Sequence, residues 1–559
     1  MSGENQPPDG KIVGDIFESY SHVLEVKNAS PSTRSSRRFR KEKLITRLKT
    51  IPVIDLFAGP GGLSEGFSSV ETGGGNRRFD VRISIEKDPM AYQTLLLRAL
   101  FRSFPKGQVP DCYYDYVEGS TTREEFFQNP AIKDALELAR SEAKLAELGT
   151  TASGTTDGWI EKALEGVTDW VLIGGPPCQA YSLAGRSRMK GVAEFAEDKR
   201  HFLYKEYLRI IKKFRPAVFV MENVKGMLTS KHGETLIFER IIADLRQPDD
   251  DLSYRIQSLV VEGEDLDPHD FVIQSENYGI PQRRHRVILF GIRFDVAEDA
   301  PALEKEPKRF KLKVAAAKVG VLAAITGLPR VRSRVSKQDD SPEKWLAVLK
   351  KSTDQLKLWR DPKRMSIELA MSAALKKAAL LQSHGAMFIE HTVDYGAKMP
   401  ASLAQWYADK KLDGVLQHES RSHMASDLQR YLFAACYAAL EKVSPRIYDF
   451  PPKLLPDHRN VGEANTPFLD RFRVQLGDQP STTVVSHISK DGHYYIHPDA
   501  SQCRSLTARE AARLQTFPDN YFFEGGRTQQ FHQIGNAVPP LLARQIADVV
   551  SDFLSAAKR

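Results

Sequence analysis

Short apolar runs alternate with stretches of helical spacing along the first half of this chain, and that alternation most limits how it can fold. The runs fall at residues 53–57, 79–88, 170–173, 217–221, 271–274 and 287–290, with helical stretches such as 202–214 and 236–245 among them. Strands recurring with helices between them predict an α/β fold on a mostly parallel, doubly wound sheet with helices on its faces. Ligands of such sheets sit beyond the carboxyl ends of the strands. Three of the runs lead there into Glu86, Cys178 and Glu222, so these side chains are expected at one edge.

The first run opens IPVIDLFAGPGGLSEGF, a strand, a glycine-rich turn and the start of a helix. Gly59, Gly61 and Gly62 lack a β-carbon and let the backbone pass close to a ligand. Glu86 ends the next run, where its carboxylate can accept both hydroxyls of an adenosine ribose. Ser64 stands where a dinucleotide fingerprint places its last glycine, so a ribose-bearing cofactor without phosphates fits better than a dinucleotide.

TDWVLIGGPPCQAYS brings Cys178 to a strand end behind Gly174, Gly175, Pro176 and Pro177, which hold the thiol in place. An ordinary thiol is only partly ionised at neutral pH, so a nucleophilic role needs neighbours that favour the thiolate. VFVMENVKG places Glu222 and Asn223 at the same edge. In ENYGIPQRRHRVILFGIR, Arg284 and Arg286 stand two apart ahead of an alternating strand and so point to one face.

DLFAGPGG, GGPPCQAYS, MENV, QRRHR, RSLTAREAARLQTFPD and QIGNAVPP occur in this order over residues 53–292 and 480–545. Together they resemble the ordered motifs of the DNA (cytosine-5)-methyltransferases of the bacterial restriction-modification or solitary type. The resemblance implies a Rossmann-like, S-adenosylmethionine-dependent methyltransferase sheet with a second, smaller target-recognition domain. The implied reaction moves a methyl group from S-adenosylmethionine to C5 of a flipped-out cytosine in a specific duplex sequence. By the same resemblance Cys178 adds to C6 of the base, Glu222 hydrogen-bonds its N3 and exocyclic amine, Arg286 meets O2, and Arg284 gives a supporting contact. Phe57 would stack near the adenine, Gly59, Pro60 and Gly62 would surround the methionine part, and Glu86 would hold the ribose. Pro177 and Asn536 would complete that pocket. Many family members meet the adenine amine with an aspartate, often after a glycine. The nearest candidate here is Ser120 after Gly119, which leaves the adenine contact open.

Directly after the thiol, SLAGRSRMKGVAEFAEDKRHFLY carries Arg186, Arg188, Lys190, Lys199 and Arg200. It is expected to be a mobile loop that closes over DNA with its basic residues on phosphates. From Arg293 to about Val474 the motifs stop, where the family keeps its target-recognition region. KVGVLAAITGLPRV resembles the helix leading into it, and Leu428, Leu432, Cys436 and Leu440 recur at helical spacing as a core stripe. QPSTTVVSHISKDGHYYIHPD reads as a hairpin, in which Thr483 is the threonine that family members place beside the flipped nucleotide. His487, His493 and His497 lack a cysteine or acid to complete a ligand set, so no metal is expected. Arg509, Glu510 and Arg513 in the family mainly brace the recognition region. After QIGNAVPP, Leu542, Ile546, Val549, Val550 and Phe553 predict a helix returning to the first strand.

The expected division is a basic N-terminal extension (1–50), a catalytic and cofactor-binding domain (51–295), a target-recognition domain (296–500) and a segment completing the catalytic domain (501–559). Lys and Arg total 79 against 72 Asp and Glu, and the net charge of +7 admits nucleic acid as a partner. Four scattered cysteines, Cys112, Cys178, Cys436 and Cys503, argue against a disulfide framework and for a reducing compartment. The most apolar long run, 314–328, contains Lys318 and is too short to span a bilayer, and no targeting signal is evident. The expected setting is the bacterial cytoplasm, with double-stranded DNA as partner, a cognate restriction endonuclease acting separately, no membrane, and the protein a monomer. Two rival readings are a tRNA cytosine-5 methyltransferase of the same architecture and an inactive DNA-binding protein on the same fold. The long recognition region and basic arm weigh against the first, and Cys178, Glu222, Arg284 and Arg286 against the second.

Overall fold

In the computed structural model, which describes residues 50–177, 203–232, 235–456 and 469–557, the apolar runs become the strands of one sheet. The chain divides into Met1–Lys49, outside the described residues, and Thr50–Arg559. The eight strands are β1 (Ile51–Leu56), β2 (Phe79–Glu86), β3 (Ala143–Leu145), β4 (Val171–Gly174), β5 (Val218–Val224), β6 (Tyr254–Gln257), β7 (Val272–Gln274) and β8 (His285–Arg293). They lie in the order β3-β2-β1-β4-β5-β8-β6, with β7 also paired to β8.

β1 to β5 are mutually parallel, and the strand order reverses between β1 and β4. Every residue of β1 and β4 is buried, as expected for strands covered on both faces. Successive residues serve opposite faces, so Val171 and Ile173 join one hydrophobic cluster while Leu172 joins the other. The expectation of a mostly parallel sheet needs one correction at its far side. β8 runs antiparallel to β5, β6 and β7. Between β7 and β8 there is only a short turn through Gly279 at φ 77°, too little chain for the helical crossover a parallel pair needs.

Helices α1 (Gly62–Ser68), α2 (Pro89–Arg102), α3 (Leu203–Phe214), α4 (Ile237–Arg246), α5 (Arg364–Ala378), α6 (Ala425–Glu441), α7 (Ala508–Leu514), α8 (Arg527–Asn536) and α9 (Pro540–Ala556) include those expected near 202–214, 236–245 and beyond 540. α3 and α4 cover one face of the sheet through Ile210, Ile211, Ile241 and Leu245. α1 and α9 cover the other, with Leu63 and Phe67 against Leu542, Ile546, Val550 and Phe553. Their close approach requires glycine at two positions one helical turn apart. A β-carbon at Gly62 would stand 2.2 Å from the carbonyl oxygen of Val538, and one at Gly66 would stand 2.4 Å from the Ala543 β-carbon. Because backbone lies in the way at both, Gly66→Ala is expected to lower the unfolding free energy by about 1–3 kcal/mol, read as an earlier urea midpoint.

A separate cluster joins Trp345, Leu349, Ile367, Met371, Leu428, Leu432 and Cys436, with α5 packed on α6. Cys436 is buried in that stripe, whereas Leu440 at its end is exposed. The hairpin expected at 479–499 does not form. Ser481–Thr482 instead pairs in parallel with Gln282–Arg283, and the following residues turn through short 3₁₀ segments at Ser486–Ser489 and His493–Tyr495. Side chains take the backbone donors that a hairpin partner would have used, Gln475 Oε1 for the Thr482 N–H and Gln282 Oε1 for the Val484 N–H. Among the described residues no helix is long and apolar enough to cross a membrane.

Candidate active site

The pairing register sets one row across the parallel strands. Ile85 lies beside Leu56, Leu56 beside Gly174 and Gly174 beside Met221, so Glu86, Phe57, Gly175 and Glu222 each emerge one residue beyond it. This edge lies at the carboxyl ends of β1 and β4, where the strand order reverses and open α/β sheets bind ligands.

The turn after β1 is tightly wound. Phe57, Gly59 and Gly61 all have positive φ, at 57°, 58° and 94°, and for Phe57 that left-handed conformation is strained. The Ala58 N–H donates to Ile85 O at 3.0 Å and the Gly59 N–H to Glu86 Oε2 at 2.8 Å. The other Glu86 oxygen accepts from the Asp88 N–H at 2.8 Å. Burial raises the Glu86 carboxyl above its ordinary value, and these backbone donors pull against that rise. A β-carbon at Gly59 would meet nothing within 4 Å, so open space lies in front of the turn beside a carboxylate. That arrangement fits the ribose and methionine parts of an S-adenosyl cofactor. Gly62, expected around the methionine, has the Val538 backbone just ahead of α9 for its near neighbour, and its missing side chain lets that backbone pass. Ser64, at the fingerprint's missing glycine, donates its hydroxyl to Asp55, whose carboxyl burial pushes up to about 7.

Beyond β4 the chain crosses directly over β5. A β-carbon at Gly175 would stand 2.9 Å from Glu222 Oε2, and the buried Asn223 amide reaches Pro176 O at 3.5 Å. Pro177 is the last described residue of this segment. Cys178, Arg186, Arg188 and Arg200 lie outside the described residues.

The two arginines of QRRHR part company. Arg286 lies opposite Val224 in the antiparallel pair, which makes Glu222 its diagonal neighbour on the same face. Arg286 Nε stands 2.7 Å from Glu222 Oε1, each side chain 14% exposed. Arg284 is buried and donates Nη1 to the carbonyls of Val484 and Gly535 at 2.9 and 3.1 Å. Burial, with Arg286 nearby, holds its guanidinium well below the usual arginine range. Its bonds therefore run to protein backbone, where it ties the Thr483 loop and α8 to the start of β8. Thr483 is half-buried, and its hydroxyl donates to Arg283 O at 2.6 Å. Asn536, exposed, ends α8 one residue after the Gly535 carbonyl that Arg284 holds.

Ser120 sits between two short helices, its N–H on Asp115 O at 2.7 Å. β3 is the strand beside Glu86, with Leu145 as its partner, and the chain leaving β3 places Glu147 3.0 Å from Lys87. Of the three residues expected to brace, Arg509 and Arg513 reach back to Leu416 and Thr326, while Glu510 stays within its own segment. Arg509 donates to Leu416 O at 2.9 Å, Arg513 to Thr326 O at 2.7 Å, and Glu510 pairs with Arg504 at 2.7 Å. Asp55 as a support went unread although its partner Ser64 is near in the chain, and the hold of Asn223 on Pro176 depends on a residue 47 positions away.

A profile of the family described as C-5 cytosine-specific DNA methylase matches residues 157–552. The chain is 33% identical to Type II methyltransferase M.Bpa9945I of Bacillus paralicheniformis over 90% of this chain and 99% of that protein. It is 30% identical to Type II methyltransferase M.AgeI of Thalassovita gelatinovora over 69% of this chain and 83% of the relative. Against DNA (cytosine-5-)-methyltransferase M.ApeKI of Aeropyrum pernix the identity is 26% over 70% and 83% of the two chains. With the motifs seated at the switch point of the sheet and the profile spanning most of its length, the chain belongs to the C-5 cytosine-specific DNA methylases.

Proposed function

We propose that the edge formed by Glu222, Arg286 and the segment ending at Pro177 activates a cytosine flipped out of duplex DNA, for the S-adenosylmethionine-dependent C5 methylation that the family carries out. The observation that carries this reading is the Arg286–Glu222 pair, 2.7 Å apart, under the chain that leads into Cys178. The C5 carbon of cytosine is a poor nucleophile until the ring is made enamine-like. Cys178 as thiolate adds to C6, and Glu222 hydrogen-bonds N3 and the exocyclic amine and stabilises the charge that develops on N3. Arg286 holds Glu222 in line while its remaining donors face O2 of the base. S-adenosylmethionine, when bound, supplies the electrophilic methyl group. Phe57, Gly59, Pro60 and Glu86 hold it, Pro177 and Asn536 border it, and the position of Glu147 makes it a better candidate than Ser120 for the adenine side. Loss of the C5 proton and departure of Cys178 then release the product.

Flipping the base costs a few kcal/mol, which contacts to the open duplex must offset. Arg186, Arg188, Arg200 and Thr483 are assigned to that task, and Arg284 braces the loop that carries Thr483. The separate cluster around α5 and α6 supports a target-recognition domain at 296–500, with 51–295 and 501–559 forming the catalytic part and 1–50 a basic extension. The relatives' names favour DNA over tRNA as substrate, and the Type II designations support a separately acting endonuclease. The enzyme would work as a monomer on bacterial DNA in the cytoplasm.

Expression in a bacterial host lacking cytosine methylation, followed by genome-wide mapping of 5-methylcytosine, tests this reading. Methylation at one short sequence is expected. An unmethylated genome despite folded protein, with label passing from S-adenosylmethionine to tRNA alone, would overturn it.

A further inference from the structure

The strained turn at Phe57–Gly61 is held from two sides, and only the Glu86 side belongs to the ribose position. On the other side the Tyr521 hydroxyl donates to the carbonyl of Pro60. Tyr521 is fully buried, and a β-carbon at Gly61 would lie 3.2 Å from its hydroxyl, so the phenol presses against the turn as well as bonding to it. Its ring is fixed by Phe517 and Phe523, at centroid distances of 4.7 and 5.3 Å, and by the Arg98 guanidinium 4.7 Å above it. Its backbone carbonyl accepts from Arg509 Nη2 at 2.8 Å, the same guanidinium that reaches Leu416. Burial raises the phenol well above its ordinary range, so it stays a donor throughout the working pH.

We propose that Tyr521 is a positioning residue for the cofactor: by holding the Pro60 carbonyl it keeps the turn in the shape that receives S-adenosylmethionine. This rests on the assignment of that turn to the cofactor. The test uses Tyr521→Phe in the full chain, with Tyr113→Phe as a matched control. Tyr113 is equally buried, and its hydroxyl donates to Asn520 O at 3.3 Å, away from the turn. Calorimetric titration with S-adenosylmethionine in the absence of DNA is expected to show Kd raised about tenfold for Tyr521→Phe, the equivalent of one lost hydrogen bond. Tyr113→Phe should bind as the parent does, and both variants should lose thermal stability to a similar degree. Tyr521→Phe binding with parental affinity despite a lower Tm, or both variants weakening equally, would overturn the proposal and leave Tyr521 a packing residue. A parent protein that bound no S-adenosylmethionine would instead remove the cofactor assignment, and this role with it.

Discussion

Cys178→Ala is expected to reduce methyl transfer to the background seen without enzyme and to abolish covalent capture of DNA carrying 5-fluorocytosine at the target. Both losses follow from one bond. Without sulfur at C6 the ring is never made enamine-like, and C5 has no electron pair to offer the methyl group. With the thiol present, fluorine at C5 cannot leave as a proton, so the adduct persists and survives denaturation. The parent protein should run as a protein–DNA adduct on a denaturing gel, and the alanine variant as free protein. An alanine variant that still captured fluorinated DNA would place the nucleophile elsewhere.

Glu222→Gln should lower the single-turnover rate by about 10²–10⁴-fold, the usual contribution of a positioned general acid. Glutamine keeps the length and the approach of Gly175, where a β-carbon would already meet Glu222 Oε2 at 2.9 Å, so the loop above it should keep its path. The change removes the carboxyl group, and with it both the partner of Arg286 and the acid that serves N3. Duplex binding should stay close to parental because neither loss touches the phosphate contacts. Rapid-quench measurement of one turnover checks this, and a rate within tenfold of the parent would rule Glu222 out as the acid.

Six of the eight strands and the turn could be read from the sequence because short apolar runs are local signals. The pairing of Glu222 with Arg286 was not read from the sequence, because it depends on the antiparallel register of β8 on β5. Alternation made Arg284 look equivalent to Arg286. What separates them is tertiary, the Val484 and Gly535 carbonyls, which come from far along the chain and leave no mark beside QRRHR. The false hairpin has the same origin, because Gln282 and Gln475 take up its donors from outside. For the adenine contact, Ser120 looked nearest in sequence, yet the strand that borders Glu86 is β3, whose Ala-Lys-Leu holds no apolar run to mark it.

The seating of α1 on α9 governs when the enzyme can come into being. The helix that follows the first motif finds its cover only in residues 538–554, nearly the whole described length later. During biosynthesis Leu63 and Phe67 must therefore wait, without their final neighbours, while the residues up to 538 are being made. Closing so long a loop is entropically costly and slow, and chains that wait this way are prone to associate with one another. A ribosome stalled just short of α9 would hold a polypeptide bearing every reactive group yet unable to modify DNA. In a cell whose own genome is the substrate, modification would begin only with finished molecules.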